Sequence, residues 1–195
     1  MSEEERGFFE PSFLLHITMI LYIVRHGQTE ENNNRILQGH MPGTLTEEGK
    51  KQIQKTAEQL ATAKVAFKCI VSSDLKRALD SAQIIADWLQ LPIVPNKILR
   101  ERDWGKYTGM SQKEAAEKYK INGKWMFPGN SVETEDGIFQ RALNAIDELR
   151  KEYANDTILL VTHGQFARNL IAAYNQCSYH DVTPFVNAEI RILKV

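Results

Sequence analysis

Two histidines of the sequence follow apolar runs that are typical of buried β-strands, and each is followed by a glycine. His26 lies in the segment Arg25-His26-Gly27, and His163 lies in His163-Gly164. In open α/β sheets, ligands bind at the carboxyl ends of the strands, where a glycine lets the backbone turn sharply. Imidazole changes charge near neutral pH and serves as a nucleophile or as a general acid or base. We therefore expect both histidines at one catalytic edge of a sheet.

Arginines near these histidines indicate that the ligand is a phosphate group. Arg25 precedes His26, and Arg77 lies about one turn into the helix predicted after residues 69–71. Guanidinium presents a planar fork of N–H donors that matches phosphate oxygens. Taken alone, Arg77 has the pattern of a solvated charge on a helix surface, and we expect that role for three other arginines. These are Arg102, Arg141 and Arg168.

A carboxyl group that could act as general acid or base is present in residues 99–105, which read Leu-Arg-Glu-Arg-Asp-Trp-Gly. Glu101 and Asp103 both belong to this charged run. The spacing does not choose between the two carboxyls, and such a run is also typical of a solvated loop. Both residues remain candidates on the sequence pattern alone.

The elements that must position these residues alternate between short apolar runs and helical patterns, which favours an α/β fold with a largely parallel sheet. We predict strands at residues 20–24, 69–71, 91–94 and 157–162, and a last strand at 188–195 at a sheet edge. We predict helices at residues 46–63, 74–89, 111–120 and 164–174, with Thr46 as an N-cap and Ser111 with Glu114 as a capping box. A further helix is predicted after residue 135, with these residues facing inward: Ile138, Ala142, Ala145, Ile146 and Leu149. Residues 121–135 carry Gly, Pro and Asn and are predicted to form a loop.

Length and composition are those of one soluble globular domain. The chain has 195 residues, of which 43% are hydrophobic and 25% charged, and its formal net charge is −1. This charge argues against a strong positive field for nucleic acid binding. Two cysteines are too few for a disulfide framework, so we expect a cytoplasmic protein. The apolar run at 13–24 is interrupted by polar residues and is too short to cross a bilayer, so we expect no membrane partner.

The first residues differ in character from those that follow. Residues 2–10 are acidic, the opposite of the basic start of a secretory signal. Met19 begins the first clean strand pattern. We therefore expect Met19 to be the natural start, residues 1–18 to be an N-terminal extension, and residues 19–195 to form a single domain.

Residues 25–32, Arg-His-Gly-Gln-Thr-Glu-Glu-Asn, resemble the signature of the histidine phosphatase superfamily, also called the phosphoglycerate mutase-like family. Further segments resemble blocks of this family in the same order: residues 37–39 with 45–49, residues 72–78, Glu101 with Gly105 and Gly109, and residues 161–164. The tripeptide Arg-His-Gly alone is common by chance, whereas five blocks in order are a specific signal. The resemblance implies a three-layer α/β/α sandwich with a mostly parallel central sheet.

The resemblance also implies a role for each matching residue. His26 would be the nucleophile that becomes phosphohistidine, and Glu101, rather than Asp103, would be the general acid and base. The phosphoryl oxygens would be bound by Arg25, Arg77 and His163, assisted by Asn32 and Gly164. The substrate mouth would be shaped by Gln28, Thr29 and Gly39.

The chemistry of phosphoryl transfer agrees with these roles. Negative charge spreads over three equatorial oxygens, so the catalyst must supply positive charge and precise positioning. We expect two arginines and a protonated His163 to supply that charge. His26 must be neutral at its attacking nitrogen, with its other nitrogen donating to a fixed acceptor such as a backbone carbonyl. We expect no metal and no other cofactor, because the five histidines show no metal-ligand spacing.

The sequence departs from the family pattern in two places. The family often carries an aspartate in the segment that here reads His40-Met41-Pro42-Gly43-Thr44. This segment helps to shape the substrate mouth, so the departure bears on specificity. The later Gly-Glu-Ser block is present only loosely, as Val132-Glu133-Thr134, and we expect a structural role for Glu133.

The function that fits best is metal-independent hydrolysis of a small phosphorylated metabolite. Family mutases usually carry a longer, more basic insertion after the acid block, whereas here no arginine occurs between Gly109 and Arg141. A cofactor-dependent phosphoglycerate mutase and a protein phosphohistidine phosphatase remain as alternatives. A non-catalytic phosphate-binding module would need no nucleophile and acid together. The oligomeric state stays open.

A covering segment over the site would favour a small substrate over a protein. Residues 110–138 are predicted to form such a lid. Four aromatic side chains either line this lid or pack against the core. They are Trp104, Tyr107, Trp125 and Phe127.

Overall fold

The structure, a computed structural model, describes residues 18–122 and 124–195, so the predicted N-terminal extension, apart from Thr18, lies outside the described residues. The strands in chain order are β1 (Ile20–Arg25), β2 (Ile70–Ser72), β3 (Ile93–Pro95), β4 (Lys120–Ile121), β5 (Lys124–Trp125), β6 (Thr157–Thr162) and β7 (Ile190–Lys194). Five of them form one sheet in the order β3-β2-β6-β1-β7. Only β7, at one edge, runs antiparallel to its neighbour. The prediction of a mostly parallel sheet with the last strand at an edge is confirmed.

Helices cover both faces of this sheet. In chain order they are α1 (Glu30–Asn33), α2 (Glu47–Thr62), α3 (Lys76–Leu89), α4 (Gln112–Tyr119), α5 (Glu135–Glu152) and α6 (Gly164–Asn175). Leu21 and Ile23 of β1 pack in one core with residues of α5 and α6. Val24, which points to the opposite face, packs in a second core with residues of α2 and α3. The predicted three-layer sandwich is therefore confirmed.

Local sequence signals account for several helix starts. Thr46 caps α2, and its hydroxyl accepts the N–H of Gly49 at 2.9 Å. Ser111 caps α4 in the same way, with Glu114 as the donor at 3.2 Å. Each side-chain oxygen satisfies an N–H that has no partner within the helix. Both predicted N-caps are confirmed, but the Glu114 side chain pairs with Lys118 at 2.7 Å and does not complete the predicted capping box.

Two local predictions need correction. The prediction of a loop at residues 121–135 is wrong at its start, where β4 and β5 pair as a short antiparallel hairpin. Asn122 allows the tight reversal because its backbone is left-handed, with φ of 49°, a region that asparagine tolerates. The helix predicted from residue 74 begins at Lys76, because Leu75 is still extended. No helix in residues 18–122 and 124–195 is long and apolar enough to cross a membrane.

The register of the two central strands places the two predicted catalytic histidines next to each other. β1 pairs in parallel with β6, and Arg25 lies opposite Thr162 at their carboxyl ends. His26 and His163 are the next residues of the two strands. Val24 and Val161, two residues before the histidines, are fully buried, so the sheet fixes where both imidazoles begin.

Candidate active site

His26 and His163 face each other in a buried position at the carboxyl edge of the sheet. Their ring centroids are 5.1 Å apart. Only 2% of His26 and none of His163 is exposed to solvent. The edge predicted from the two strand patterns is therefore where the two histidines meet.

The hydrogen bonds of His26 fix which of its nitrogens carries a proton. Its Nδ1 lies 2.8 Å from the carbonyl oxygen of Gly27, and a carbonyl can only accept, so Nδ1 donates. In a neutral ring, Nε2 then holds a lone pair. Arg77 donates to this lone pair from its Nε at 3.3 Å. The prediction that the far nitrogen of His26 donates to a backbone carbonyl is confirmed.

The surroundings also keep His26 neutral. Burial lowers its pKa well below 6.5, and the positive charges of Arg77 and Arg25 lower it further. The hydrogen bond to Gly27 acts in the opposite direction but is the weakest of these effects. A neutral imidazole, whose Nε2 carries no proton, is the nucleophilic form.

Arg77, in the first turn of α3, donates hydrogen bonds to the backbone of a short neighbouring segment. Its Nη2 donates to the carbonyl of Gly39 at 2.9 Å, and its Nη1 donates to the carbonyl of Met41. Its backbone N–H donates to the carbonyl of Pro42 at 3.0 Å. We call residues 39–42 the arginine strap. Arg77 is 1% exposed, and burial lowers its pKa to about 10, so the surface role suggested by its pattern alone is wrong.

Arg25 is the second cation beside His26. Its Nη1 donates to the carbonyl of Phe185 at 2.7 Å. Its Nε is buried and has no hydrogen-bond partner in the described part of the chain. Burial lowers the pKa of Arg25, and the negative charge of Glu101 partly offsets this effect. An anion bound here would give the unpaired N–H a partner.

His163 lies next to His26 and is surrounded by positive charge. Its Nε2 lies 2.8 Å from the hydroxyl of Ser73, while its Nδ1 is buried without a partner among the described residues. Burial lowers its pKa well below 6.5, and Arg77, His26 and Arg25 lower it further. The unliganded site therefore favours a neutral His163, and the protonated form expected during phosphoryl transfer stays a prediction for the phosphate-bound site. A bound phosphate dianion would favour protonation by supplying the missing negative charge.

Glu101 lies against the first turn of α6. Its Oε1 accepts the N–H groups of Arg102 and Phe166, both at 3.0 Å, and its Oε2 accepts the N–H of Gln165 at 3.2 Å. Two of these donors belong to the first turn of α6, and the three N–H groups together fix the orientation of the carboxyl group. Asp103, by contrast, accepts the N–H of Gly105 at 2.8 Å and faces His40 at 3.7 Å.

A cavity of about 400 Å³ is lined by most of the predicted site, namely Arg25, His26, Asn32, Gly39, Arg77, Glu101 and Gly164. His163 lies behind this lining, next to His26, with no exposed surface of its own. Asp103 is not among the lining residues. Neither are Gln28 and Thr29, whose side chains bond elsewhere: the hydroxyl of Thr29 caps α1, and Oε1 of Gln28 accepts from Thr46 at 3.0 Å.

The second wall of the cavity is partly aromatic. Trp104 and Trp125 line it, and Gln112 of α4 lies in the same lining, so residues 110–138 do contribute to the cover of the site. The ring of Phe127 stacks on that of Trp125, with 5.5 Å between the ring centroids, and packs against the ring of Tyr107, with 4.7 Å between the centroids. Two of the four aromatic residues therefore line the cavity, and the other two support them.

Several residues of the site were missed by the sequence analysis. Asn187 donates from Nδ2 to the carbonyl of His26 and to Oδ1 of Asn32, both at 3.1 Å. Ser81 accepts the N–H of Gly27 at 3.1 Å and donates to the carbonyl of Arg77 at 2.7 Å. Ser81 could have been found from its position one turn after Arg77, whereas no local pattern marks Asn187.

The three arginines expected on the surface are not there. Arg102 is 4% exposed and donates to the carbonyl of Glu133 at 2.8 Å. Arg141 bonds Glu133 through two nitrogens at 2.8 Å and donates to carbonyls of the segment that carries Glu101. Arg168 lines the active-site cavity. The Arg141–Glu133 pair thus fixes residues 99–105, the acid segment that carries Glu101, which agrees with the structural role predicted for Glu133.

Potential metal ligands are not clustered in the described ranges. No group of three or more His, Cys, Asp or Glu side chains there is arranged to hold a metal ion. The polar groups of the cavity are mainly guanidinium, imidazole and amide groups, which can bind anions, together with the single carboxyl group of Glu101.

Comparison with known proteins gives one consistent family. The profile of the histidine phosphatase superfamily (branch 1) matches residues 21–195. The metal-independent phosphoserine phosphatase of Arabidopsis thaliana is 30% identical over 182 residues, covering 89% of this chain and 75% of that protein. The broad-specificity phosphatase YOR283W of Saccharomyces cerevisiae is 31% identical over 181 residues, covering 89% and 78%. The crystal structure of phosphoserine phosphatase in complex with 3-phosphoglyceric acid from Entamoeba histolytica has a TM-score of 0.74 and 26% identity, covering 89% of each chain.

Proposed function

This chain belongs to the histidine phosphatase superfamily, and we propose that it is a metal-independent phosphomonoesterase that hydrolyses small phosphate esters through a phosphohistidine at His26. The observation that carries the proposal is the tautomer of His26. Its Nδ1 is committed to the carbonyl of Gly27, so its Nε2 lone pair lies at the floor of a cavity that two arginines share. This arrangement presents a neutral nucleophile to a bound anion.

Binding of the phosphoryl group uses donors that are already in place. Arg25 and Arg77 offer guanidinium N–H groups, and the N-terminus of α6 at Gly164 adds its positive end. His163 gains a proton as the dianion enters, which gives the phosphoryl oxygens a third cationic partner. These groups stabilise the charge that spreads over the equatorial oxygens in the transition state.

The first chemical step transfers the phosphoryl group to the enzyme. The Nε2 lone pair of His26 forms the bond to phosphorus while the bond to the ester oxygen breaks. The leaving oxygen takes a proton from the carboxyl group of Glu101 and departs as the alcohol. This step therefore requires the protonated form of the Glu101 carboxyl group.

The second step returns the enzyme to its starting state. Glu101, now a carboxylate, accepts a proton from a water molecule as its oxygen attacks phosphorus. The bond to Nε2 breaks, inorganic phosphate forms, and His26 regains its lone pair. The three backbone N–H groups that hold Glu101 suit this base role, because they orient its carboxylate before the water arrives.

The substrates of relatives suggest the size of the ester. The relatives named above are phosphoserine phosphatases and a broad-specificity phosphatase. A cavity of about 400 Å³ suits a phosphorylated metabolite of a few carbons. We therefore propose a small phosphorylated metabolite as the substrate, hydrolysed rather than isomerised.

Hydrolysis of para-nitrophenyl phosphate in the presence of a chelator tests the proposal. We expect wild-type turnover, and a loss of at least about 10³-fold in His26→Ala because the covalent route is removed. His180→Ala is the matched control, since His180 is exposed and does not line the cavity. Full activity in His26→Ala would overturn the proposed role of His26.

A further inference from the structure

Arginines in the described part of the chain divide by whether a carboxylate neutralises them. Four lie within 4.0 Å of one, namely Arg100, Arg102, Arg141 and Arg191. Two more, Arg35 and Arg150, have no such partner and are exposed, so water screens their charge. The remaining three are not exposed, and all of them line the same cavity. They are Arg25, Arg77 and Arg168.

Arg25 and Arg77 flank His26 and are accounted for by the phosphoryl group. Arg168 lies on α6, four residues after Gly164, and lines the same cavity. Burial lowers the pKa of Arg168, Tyr179 raises it and Arg191 lowers it, and no carboxylate in the described part of the chain contributes to the shift or lies within 4.0 Å. Its charge therefore has no counter-ion among residues 18–122 and 124–195.

Two of the three guanidinium nitrogens of Arg168 donate to backbone carbonyls, which fixes the position of the group. Its Nε donates to the carbonyl of Val182 and its Nη2 to the carbonyl of Tyr179, both at 2.8 Å. The guanidinium also lies 5.0 Å above the ring of Tyr179. Its Nη1 has no hydrogen-bond partner within the described ranges. A fixed donor of this kind costs little entropy when a ligand binds to it.

We propose that Arg168 binds a second anionic group of the substrate, a carboxylate, so that the enzyme favours phosphorylated carboxylic acids over esters of neutral alcohols. The inference rests on the proposed phosphatase function and names its substrate class. One free nitrogen with two N–H groups matches a singly charged carboxylate, whereas the phosphoryl end uses two arginines.

The remaining residues that line the cavity favour a substrate with only one further negative charge besides the phosphoryl group. Beyond the phosphoryl end, the described lining contains amides and apolar side chains but no lysine and no other arginine. A second phosphate of two charges would lack the donors that the first one has.

Two substrate pairs that differ in a carboxylate test this proposal. O-phosphoserine and phosphoethanolamine form one pair, and 3-phosphoglycerate and glycerol 3-phosphate form the other. We expect kcat/KM to favour the carboxylated member by about 10- to 100-fold in the wild type, the range of a hydrogen bond to a charged group. In Arg168→Met this preference falls close to unity, and Arg168→Lys restores part of it.

Arg191→Met is the matched control for loss of loop anchoring. Arg191 donates to the carbonyls of Thr183 and Pro184 in the same loop but does not line the cavity. We expect Arg191→Met to keep the wild-type preference for carboxylated esters. An equal preference in wild type and Arg168→Met, or an equal loss in both variants, would overturn the proposal.

A binding measurement separates this proposal from the proposed function. Calorimetry with His26→Ala compares phosphoserine with phosphoethanolamine, and the double variant His26→Ala/Arg168→Met repeats the comparison. Tighter binding of phosphoserine that depends on Arg168 supports the carboxylate site even if para-nitrophenyl phosphate is not hydrolysed. An effect of Arg168 on fructose 1,6-bisphosphate alone would overturn the carboxylate in favour of a second phosphate.

Discussion

The Nε of Arg77 donates to the Nε2 of His26 at 3.3 Å, while the other two nitrogens of the same guanidinium bond to carbonyls of the arginine strap. One side chain thus joins the predicted nucleophile to the segment where the sequence departs from the family pattern. The strap also holds the acid segment, because Nε2 of His40 donates to the carbonyl of Glu101 at 2.9 Å. Residues 39–42 therefore set the positions of cation, nucleophile and acid together.

Replacing Arg77 by lysine tests whether this geometry matters beyond charge. Lysine keeps the positive charge, but a single ammonium cannot donate to two strap carbonyls and to His26 in a fixed fork. We expect kcat/KM of Arg77→Lys to fall by about 10²- to 10³-fold, as for loss of a transition-state donor. Arg100→Lys is the control, since Arg100 pairs with Asp74 outside the cavity. Equal activity of the two variants would argue against the fork.

Glu101→Gln tests the acid with two leaving groups. An alkyl ester needs a proton on its leaving oxygen, whereas para-nitrophenolate leaves without one. We expect the variant to lose about 10²- to 10⁴-fold in phosphorylation by an alkyl phosphate and much less with para-nitrophenyl phosphate in a single-turnover assay. Asp103→Asn should be close to wild type with both, because Asp103 does not line the cavity. The reverse pattern would assign the proton to Asp103.

The two buried histidines predict a pH dependence of stability. Their pKa values in the folded protein lie well below 6.5, so the unfolded chain takes up protons that the folded site excludes as pH falls below about 6.5. The free energy of unfolding should therefore decrease with falling pH, by up to about 1.4 kcal/mol per pH unit for each histidine.

Urea unfolding in phosphate-free buffer between about pH 7.5 and about pH 5.5 measures this slope. This pH range lies above the range in which Asp74 and Glu189 take up protons, because hydrogen bonds from their arginine partners lower the pKa values of both carboxyl groups. The double variant His26→Ala/His163→Ala should lose most of the slope. A slope that survives in the double variant would assign the proton uptake to other groups.

Gly49 and Gly137 form a matched pair for packing at the site. Each is the third residue of a helix capped by a threonine, and each N–H donates to that threonine at 2.9 Å. A Cβ at Gly49 would lie 2.0 Å from the carbonyl of Gln28, whereas at Gly137 the nearest atom would be a side-chain oxygen at 3.1 Å.

We expect Gly49→Ala to lower the free energy of unfolding by about 1–3 kcal/mol or more and to reduce kcat, because the loop after His26 must shift. Gly137→Ala should change stability by about 1 kcal/mol or less, since helix propensity offsets a small side-chain adjustment. Thermal or urea unfolding of both variants gives the comparison. Similar stability losses would show that the contact with Gln28 is not tight.

The parts of the fold and site that could be predicted are those set by local pattern. Apolar runs of period and length typical of buried strands, ending in His26 and His163, were enough to bring both imidazoles to one sheet edge. The caps of α2 and α4 likewise depend on residues three apart. Such signals predict the structure correctly because each one depends on residues within a single helix or strand.

The remainder depends on contacts between distant segments. Asn187 reaches the carbonyl of His26 across 161 residues, and nothing near it in sequence marks that role. Arg168 has the pattern of a surface helix residue until the loop carrying Tyr179 and Val182 folds over it. Thr29 was expected to shape the substrate mouth, but its hydroxyl caps α1 instead. The sequence of a short loop does not determine whether a side chain points into the cavity or toward a neighbouring helix.

The most direct test of the central claim is to trap the phosphoryl enzyme. Wild-type protein is mixed with para-nitrophenyl phosphate and chelator, quenched at alkaline pH within the first turnover, digested and examined by mass spectrometry. We predict one phosphoryl group on the peptide that contains Arg25-His26-Gly27, assigned by fragmentation to His26, and none in His26→Ala. Turnover by the wild type without a phosphoryl group at His26, together with undiminished turnover by His26→Ala, would contradict the account.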